Sequence, residues 1–276
     1  MVNHNNQNKI MLINDISGFG RCSVAVQLPI ISHLKVQCCP IPTSIFSEHT
    51  GFDHYYFDDY TAHMEEYASH WKRMELEFKG ICTGFLGSHE QIDIVERLIK
   101  KFRKENTIVT IDPVMGDYGK KYSIYTDEMC EGLKHLVEYA DILTPNLTEA
   151  CILTGREYDE AAATNEYLIE TAAELCAMGP EKIVITGVPE GEYLRNLVYE
   201  KGKETVIVRA RKIGESRSGT GDVFSAIIAA DAVNGVPFAA SVRKAVDFIS
   251  ECIMRAVDME IPLTDGVPFE EVIYKL

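Results

Sequence analysis

The chain has 276 residues, 46% of them apolar, which is enough for one large α/β domain with a substantial core or for two small ones. It carries 27 basic and 42 acidic residues, a net charge of −15. Nucleic acid and anionic membrane are thereby excluded as expected partners, because binding there rests on Lys and Arg contacts to phosphate. A polyanionic small molecule would have to be held by backbone N–H groups or by a cation.

Short apolar runs alternate with amphipathic stretches along the chain. KIMLIN (9–14) reads as a buried strand, SVAVQLPIISHL (23–34) as a helix despite Pro29, and VQCCPIP (36–42) as a strand. The polar, aromatic stretch SEHTGFDHYYFDDY (47–60) has no regular period and reads either as a lid or as a surface loop. Helices are expected at 61–76 and 90–105, with strands at 80–86 and 107–114. A helix at 127–140, a strand and turn at 141–146 and a short helix at 147–155 come next, then a helix at 165–179 ended by Gly179. Strands at 182–188, 194–200 and 205–212 lead to closing helices at 221–233, 238–257 and 269–275.

This alternation implies an α/β fold, a largely parallel sheet with helices on both faces. No repeat, low-complexity tract or linker breaks it, so residues 1–276 are read as one domain. Ligands in such folds gather at the carboxyl ends of the strands.

The eight cysteines, Cys22, Cys38, Cys39, Cys82, Cys130, Cys151, Cys176 and Cys252, show no C-x-x-C spacing, and most lie among apolar residues. That argues against a zinc site or a disulfide framework and for a reducing cytoplasm. The amino-terminal MVNHNNQNK lacks the apolar stretch of a signal peptide, and no later run approaches a membrane span. His49, His54 and Trp71 show no ligand spacing and read as surface or packing residues.

The stretch SGTGD (218–222) carries the sharpest signal. Gly219 and Gly221 allow close approach to the backbone, and the free N–H groups of the following helix make an anion site. Asp222 at the helix start is either favourable with the dipole alone or a base for a hydroxyl that attacks a γ-phosphate, with Gly219, Thr220 and Gly221 holding the transferring charge. No P-loop spacing occurs, and SGFGRC (17–22) lacks the third glycine of a dinucleotide fingerprint, which disfavours a nicotinamide oxidoreductase.

Asp112 and Asp117 flank the turn in DPVMGD (112–117). In TPNLTEA (144–150), Asn146 and Glu149 have capping-box spacing. Carboxylates at neighbouring strand ends could also hold Mg²⁺, with Asp112 and Glu149 as the candidate ligands.

In order, Ser17-Gly18-Phe19-Gly20, DPVMGD, TPNLTEA, VITGV and SGTGD resemble the ribokinase superfamily of kinases. NDISGFG and PTSIFSEHTGF (42–52) are similar to the pyridoxal (vitamin B6) kinase branch. The resemblance covers nearly the whole chain. It implies a Rossmann-like domain with a small β lid, approximately residues 36–60, usually as a homodimer. It also implies ATP-dependent phosphorylation of the 5′-hydroxymethyl group of pyridoxal, pyridoxine or pyridoxamine.

On that resemblance Asp222 matches the catalytic base, and Gly219, Thr220 and Gly221 match the anion hole. Ser17, Thr43 and Ser44 match ring-contacting positions. Asp112, Thr144 and Glu149 match positions near the ATP phosphates and Mg²⁺. Thr186 and Gly187 match the nucleotide-side turn, and Ile207, Val208, Arg209 and Ala210 match the stretch that covers the nucleotide. Phe85 stands where the family often has Tyr, which keeps a ring and removes a hydroxyl. A hydroxymethylpyrimidine kinase and a non-catalytic vitamer-binding protein are the rival readings. Whether a monovalent cation assists is left open.

Overall fold

The structure, a computed structural model, describes residues 6–276. Its first strand, Lys9–Phe19 (β1), shows why the fold has two cores. Met11 and Ile13 join one buried cluster, Ile10 and Leu12 the other, as the two-residue period of a strand requires. The remaining strands of the main sheet are Gln37–Glu48 (β2), Phe57–Asp59 (β3), Gly80–Thr83 (β4), Ile108–Ile111 (β5), Ile142–Leu143 (β8), Lys182–Glu190 (β9), Tyr193–Glu200 (β10) and Val206–Arg211 (β11). Gly116–Asp117 (β6) and Lys120–Lys121 (β7) form a separate hairpin.

The helices are Ser23–His33 (α1), Thr61–Arg73 (α2), His89–Phe102 (α3), Asp127–Val137 (α4), Leu147–Thr154 (α5), Asn165–Ala177 (α6), Thr220–Val233 (α7) and Phe238–Asp258 (α8). α2 to α6 supply one cluster, while α1, α7 and α8 supply the other.

The sheet order is β11-β10-β9-β8-β5-β4-β1-β2-β3. β2, β1, β4, β5, β8 and β9 are parallel, with antiparallel strands at both edges. From β1 the chain moves outward to β2 and then crosses back to β4 on the other side of β1. The carboxyl end of β1 is therefore a switch point, where two crossovers diverge and leave a crevice.

The structure departs from the sequence expectation at four places. β1 and β2 run past their apolar stretches to Phe19 and Glu48, and β3 pairs with β2 through Phe46–Phe57. The 47–60 segment is thus anchored at both ends to a flap on the sheet. The β6–β7 hairpin was not expected. Its turn residues Tyr118 and Gly119 both have left-handed φ, 49° and 74°, as a tight hairpin requires. The closing helix expected at 269–275 is instead two short 3-10 turns, Phe269–Glu271 and Ile273–Lys275, because so short a run cannot repay helix nucleation.

Candidate active site

α7 begins at Thr220 behind Gly219, whose φ is +81°. A Cβ on Gly219 would lie 1.9 Å from the carbonyl oxygen of Arg21, so the position admits only glycine. Gly221, one residue into the helix, has open space where a Cβ would stand. The first N–H groups of α7 lack intrahelical acceptors.

Asp222 does not cap this helix, since the cap position is Gly219 with no side-chain hydrogen bond. Its half-buried carboxylate instead receives Asn14 Nδ2 at 3.2 Å and the backbone N–H of Ser23. Ser23 and Arg21 both sit in left-handed backbone at φ 55° and 46°, which no glycine relieves. Burial, with the nearby charge of Asp15 added, lifts the Asp222 carboxyl to about 7, against the pull of Ser23 N–H and Asn14.

Asn14 organises this end of β1. Its Oδ1 accepts from the N–H groups of Asp15 (2.9 Å) and Phe85 (2.7 Å), while Nδ2 donates to Gln27 Oε1 (2.8 Å) as well as to Asp222. Gln27 Nε2 passes the chain on to Ser225 Oγ at 3.0 Å. A Cβ at Gly84 would lie 2.5 Å from the Asn14 amide, so that glycine makes room for the network. The sequence reading missed Asn14, Asp15 and Gln27. Asn14 and Asp15 do open the NDISGFG stretch, but no role was assigned to them; for Gln27 the signal was a polar residue in an otherwise apolar helix.

Next to Asn14 the β1–β2 register shifts. Asn14 pairs with Pro42 and Ile16 with Ile45, so Thr43 and Ser44 together oppose Asp15. Such a bulge re-aims side chains. Thr43 Oγ1 donates to the Phe85 carbonyl at 3.0 Å, and Gln91 Nε2 donates to the Thr43 carbonyl at 2.8 Å. Ser44 Oγ is buried with no partner. Ser17 Oγ donates to Asp15 Oδ2 at 2.9 Å, and burial raises the Asp15 carboxyl. Phe85 meets Phe46 and Tyr125 edge-on at 6.0 and 6.4 Å, and Phe46 carries the flap rings of Tyr55 and Phe57. His49, read as a surface or packing residue, is held by Phe52 and by its Nε2 contact of 2.7 Å to the Thr264 carbonyl.

At the ends of β5 and β8 the capping box is complete. Glu149 N–H donates to Asn146 Oδ1, and Glu149 Oε2 accepts from Asn146 N–H, both at 2.9 Å. Glu149 Oε1 also accepts from Met115 N–H at 3.1 Å. Yet Glu149 is also part of an acidic cluster. Burial raises its carboxyl to about 7, and Asp117 adds to the rise. Asp112 is raised well above the carboxylate range, by burial first and then by Glu149 and Asp222.

Among the described residues no three acids, histidines or cysteines close on a metal by themselves. The donor set nevertheless suits a hydrated cation shared with phosphates. Its carboxyls lose charge to burial and mutual repulsion, which a cation would reverse, its ligands are hard oxygens, and the buried Thr144 hydroxyl lies within hydrogen-bonding reach of Asp112.

Thr186 bridges Asn146 next to this cluster, and Gly187 (φ 67°) has open space where a Cβ would stand. Ile207, Val208, Arg209 and Ala210 lie on β11, which runs in the same sense as β9 through two antiparallel pairings. Val208 is buried in one core and Ile207 packs against the other. Arg209 Nε pairs with Glu190 at 2.6 Å. The stretch is thus built into the sheet edge.

The profile of the phosphomethylpyrimidine kinase family matches residues 28–263. The chain belongs to that family. A pyridoxal kinase of Arabidopsis thaliana is 32% identical over 201 residues, 68% of this chain and 62% of the relative, so the match spans less than two thirds of that protein. A hydroxymethylpyrimidine/phosphomethylpyrimidine kinase of Aquifex aeolicus is 29% identical over 65% of this chain and 68% of its own. The crystal structure of a protein of Bacteroides thetaiotaomicron provisionally described as a phosphomethylpyrimidine kinase superposes with a TM-score of 0.97 at 34% identity. It covers 100% of this chain and 96% of that one. A second crystal form of that protein contains pyridoxal and gives 0.94. The fold is the ribokinase-like α/β fold expected from the motifs. No helix among the described residues is long and apolar enough to cross a membrane.

Proposed function

We propose that the protein is an ATP-dependent kinase that phosphorylates the 5′-hydroxymethyl group of pyridoxal and its vitamer relatives. The observation that carries this reading is the Asp222 carboxylate. It is aimed away from its own helix, raised to about 7 and set beside the glycine turn at the switch point. In the reaction the alcohol's proton passes to Asp222. The alcohol oxygen bonds to the γ-phosphorus as the bond to the ADP oxygen breaks. The N–H groups of Gly219, Thr220 and Gly221 hold the transferring charge. Ser17, Thr43, Ser44 and Phe85 surround the ring, and Thr186, Gly187 and the 207–210 stretch border the nucleotide. Asp112, Glu149 and Thr144 would hold Mg²⁺ through water, and the ion when bound offsets charge on the phosphate oxygens. Residues 43–60 close over the ring and exclude water.

The deciding experiment is ADP release with pyridoxal, pyridoxine, pyridoxamine and hydroxymethylpyrimidine. Turnover of the vitamers supports the reading. Turnover of the pyrimidine alone favours the second reading, a hydroxymethylpyrimidine kinase, to which the family description and the Aquifex aeolicus relative point. Tight binding without ADP release would leave a vitamer-binding protein. We further propose a single-domain, cytoplasmic homodimer. Its eight free thiols support a reducing compartment, and sedimentation tests its assembly.

A further inference from the structure

The glycine turn before α7 is tied down by a residue that the kinase reading leaves unused. Among the described residues 212–219, between β11 and α7, Arg217 alone hydrogen-bonds through its side chain to another segment. It is 9% exposed, and its Nη1 donates to the carbonyls of Ile261 at 2.7 Å and Pro262 at 3.2 Å. Its own carbonyl accepts from the Thr220 hydroxyl at 3.2 Å. Arg217 thus links the first residue of α7 to the chain that follows α8. Its Nε is buried without a partner, so the guanidinium is held there at a cost in solvation, by backbone oxygens.

The receiving segment, 261–266, is a strap built around the 3-10 turn Leu263–Asp265. Its carbonyls serve three parts of the site. Those of Ile261 and Pro262 take Arg217, that of Thr264 meets His49 Nε2 of the flap, and that of Asp265 takes Arg21 Nη1 at 3.2 Å. Gly266 closes the joint, since a Cβ there would lie 2.6 Å from the Gly20 carbonyl oxygen and 2.9 Å from that of Arg21. Gly219 presses on the same Arg21 carbonyl from the side of the turn. The flap, the exit from β1 and the anion turn therefore share one short stretch of backbone. Glycines leave the turn more freedom than a phosphoryl site tolerates, because donors must already stand where charge develops.

We propose that Arg217 is a positioning residue for phosphoryl transfer. By pinning the turn to the strap it fixes the N–H groups of Gly219, Thr220 and Gly221 against the transferring group, and it touches neither nucleotide nor acceptor. The inference rests on the kinase reading and holds for whichever acceptor ring is turned over.

The test compares wild type with Arg217→Met, Arg217→Gln and Arg217→Lys. It measures kcat, KM for the acceptor and for MgATP, the Kd of MgADP, and Tm. An apolar and a polar replacement are both made so that one of them fills the buried position in a folded protein. Wild-type ADP release is read first, and its absence with every vitamer and with hydroxymethylpyrimidine overturns the kinase reading and this one with it. Given turnover, kcat in the Met and Gln variants is expected to fall on the order of 10- to 100-fold at temperatures where both are folded. KM for the acceptor and the Kd of MgADP are expected to stay unchanged. Arg217→Lys should recover most of the loss, since an ammonium can donate to the same carbonyls. A Lys variant as slow as the Met variant overturns the pin. A rise in KM for MgATP or in the Kd of MgADP at unchanged kcat would make Arg217 a nucleotide-binding cation and overturn the proposal. A lowered Tm with kcat intact would leave it a brace of the fold alone, with the same consequence.

Discussion

Replacing Asp222 by Asn keeps the side chain's shape and removes its charge, and activity and stability should move in opposite directions. Loss of a general base costs about 10²–10⁴ in rate, so kcat should fall by at least the lower figure while ADP affinity changes little. Stability should rise. The folded carboxyl is lifted from 3.8 to about 7, so the stability that accompanies protonation is complete below the unfolded value and is lost as pH rises through 7. Each pH unit between the unfolded and the folded value is worth about 1.4 kcal/mol, which sets a ceiling of about 4 kcal/mol on the destabilisation above pH 7. Asn recovers only part of it, because an amide must still be desolvated and one of its N–H groups faces Asn14 or Ser23. A gain of about 1–2 kcal/mol, a few degrees in Tm, is expected at pH 8 and almost none at pH 4. Coupled ADP release and thermal melts of the unliganded protein across that pH range measure both. Near-normal turnover would remove Asp222 from the chemistry, and a Tm difference independent of pH would refute the buried-charge argument.

The two glycines of the turn should behave differently on substitution. Gly219→Ala meets the Arg21 carbonyl and a left-handed φ, and should lose at least about 2 kcal/mol in urea unfolding. Gly221→Ala has open space and should leave Tm unchanged, yet lower kcat/KM for ATP on the order of tenfold or more by filling the phosphate position. Glu149→Gln sets an amide against the N–H of Asn146 or Met115. It should lower Tm and raise the Mg²⁺ concentration needed for half-maximal rate, and an unchanged metal titration would confine Glu149 to capping. Asn14→Ala strips the acceptor from Asp15 N–H and Phe85 N–H and should cost about 2–5 kcal/mol by chemical denaturation; a loss below about 1 kcal/mol would show that water replaces it.

What could be read before the structure was whatever leaves a local mark. β4 and β9 are continuous apolar runs because both faces are covered, and the Asn146–Glu149 box is set by a three-residue spacing. β3 and the β6–β7 hairpin escaped because their residues are mostly exposed and their pairing, not their own hydrophobicity, holds them. Asn14 escaped for a deeper reason. Its partner Asp222 lies 208 residues away, and no period within either segment encodes that meeting. Yet Gly219 marks the same place from the other side. The glycine that exposes N–H groups to an anion is also the residue that lets α7 press against the Arg21 carbonyl, where the chain leaves β1. A larger residue there would push apart the two segments that carry Asp222 and Asn14. The local signature and the long-range network are therefore one constraint. The turn is legible in sequence because packing against β1 and binding an anion demand the same missing side chain.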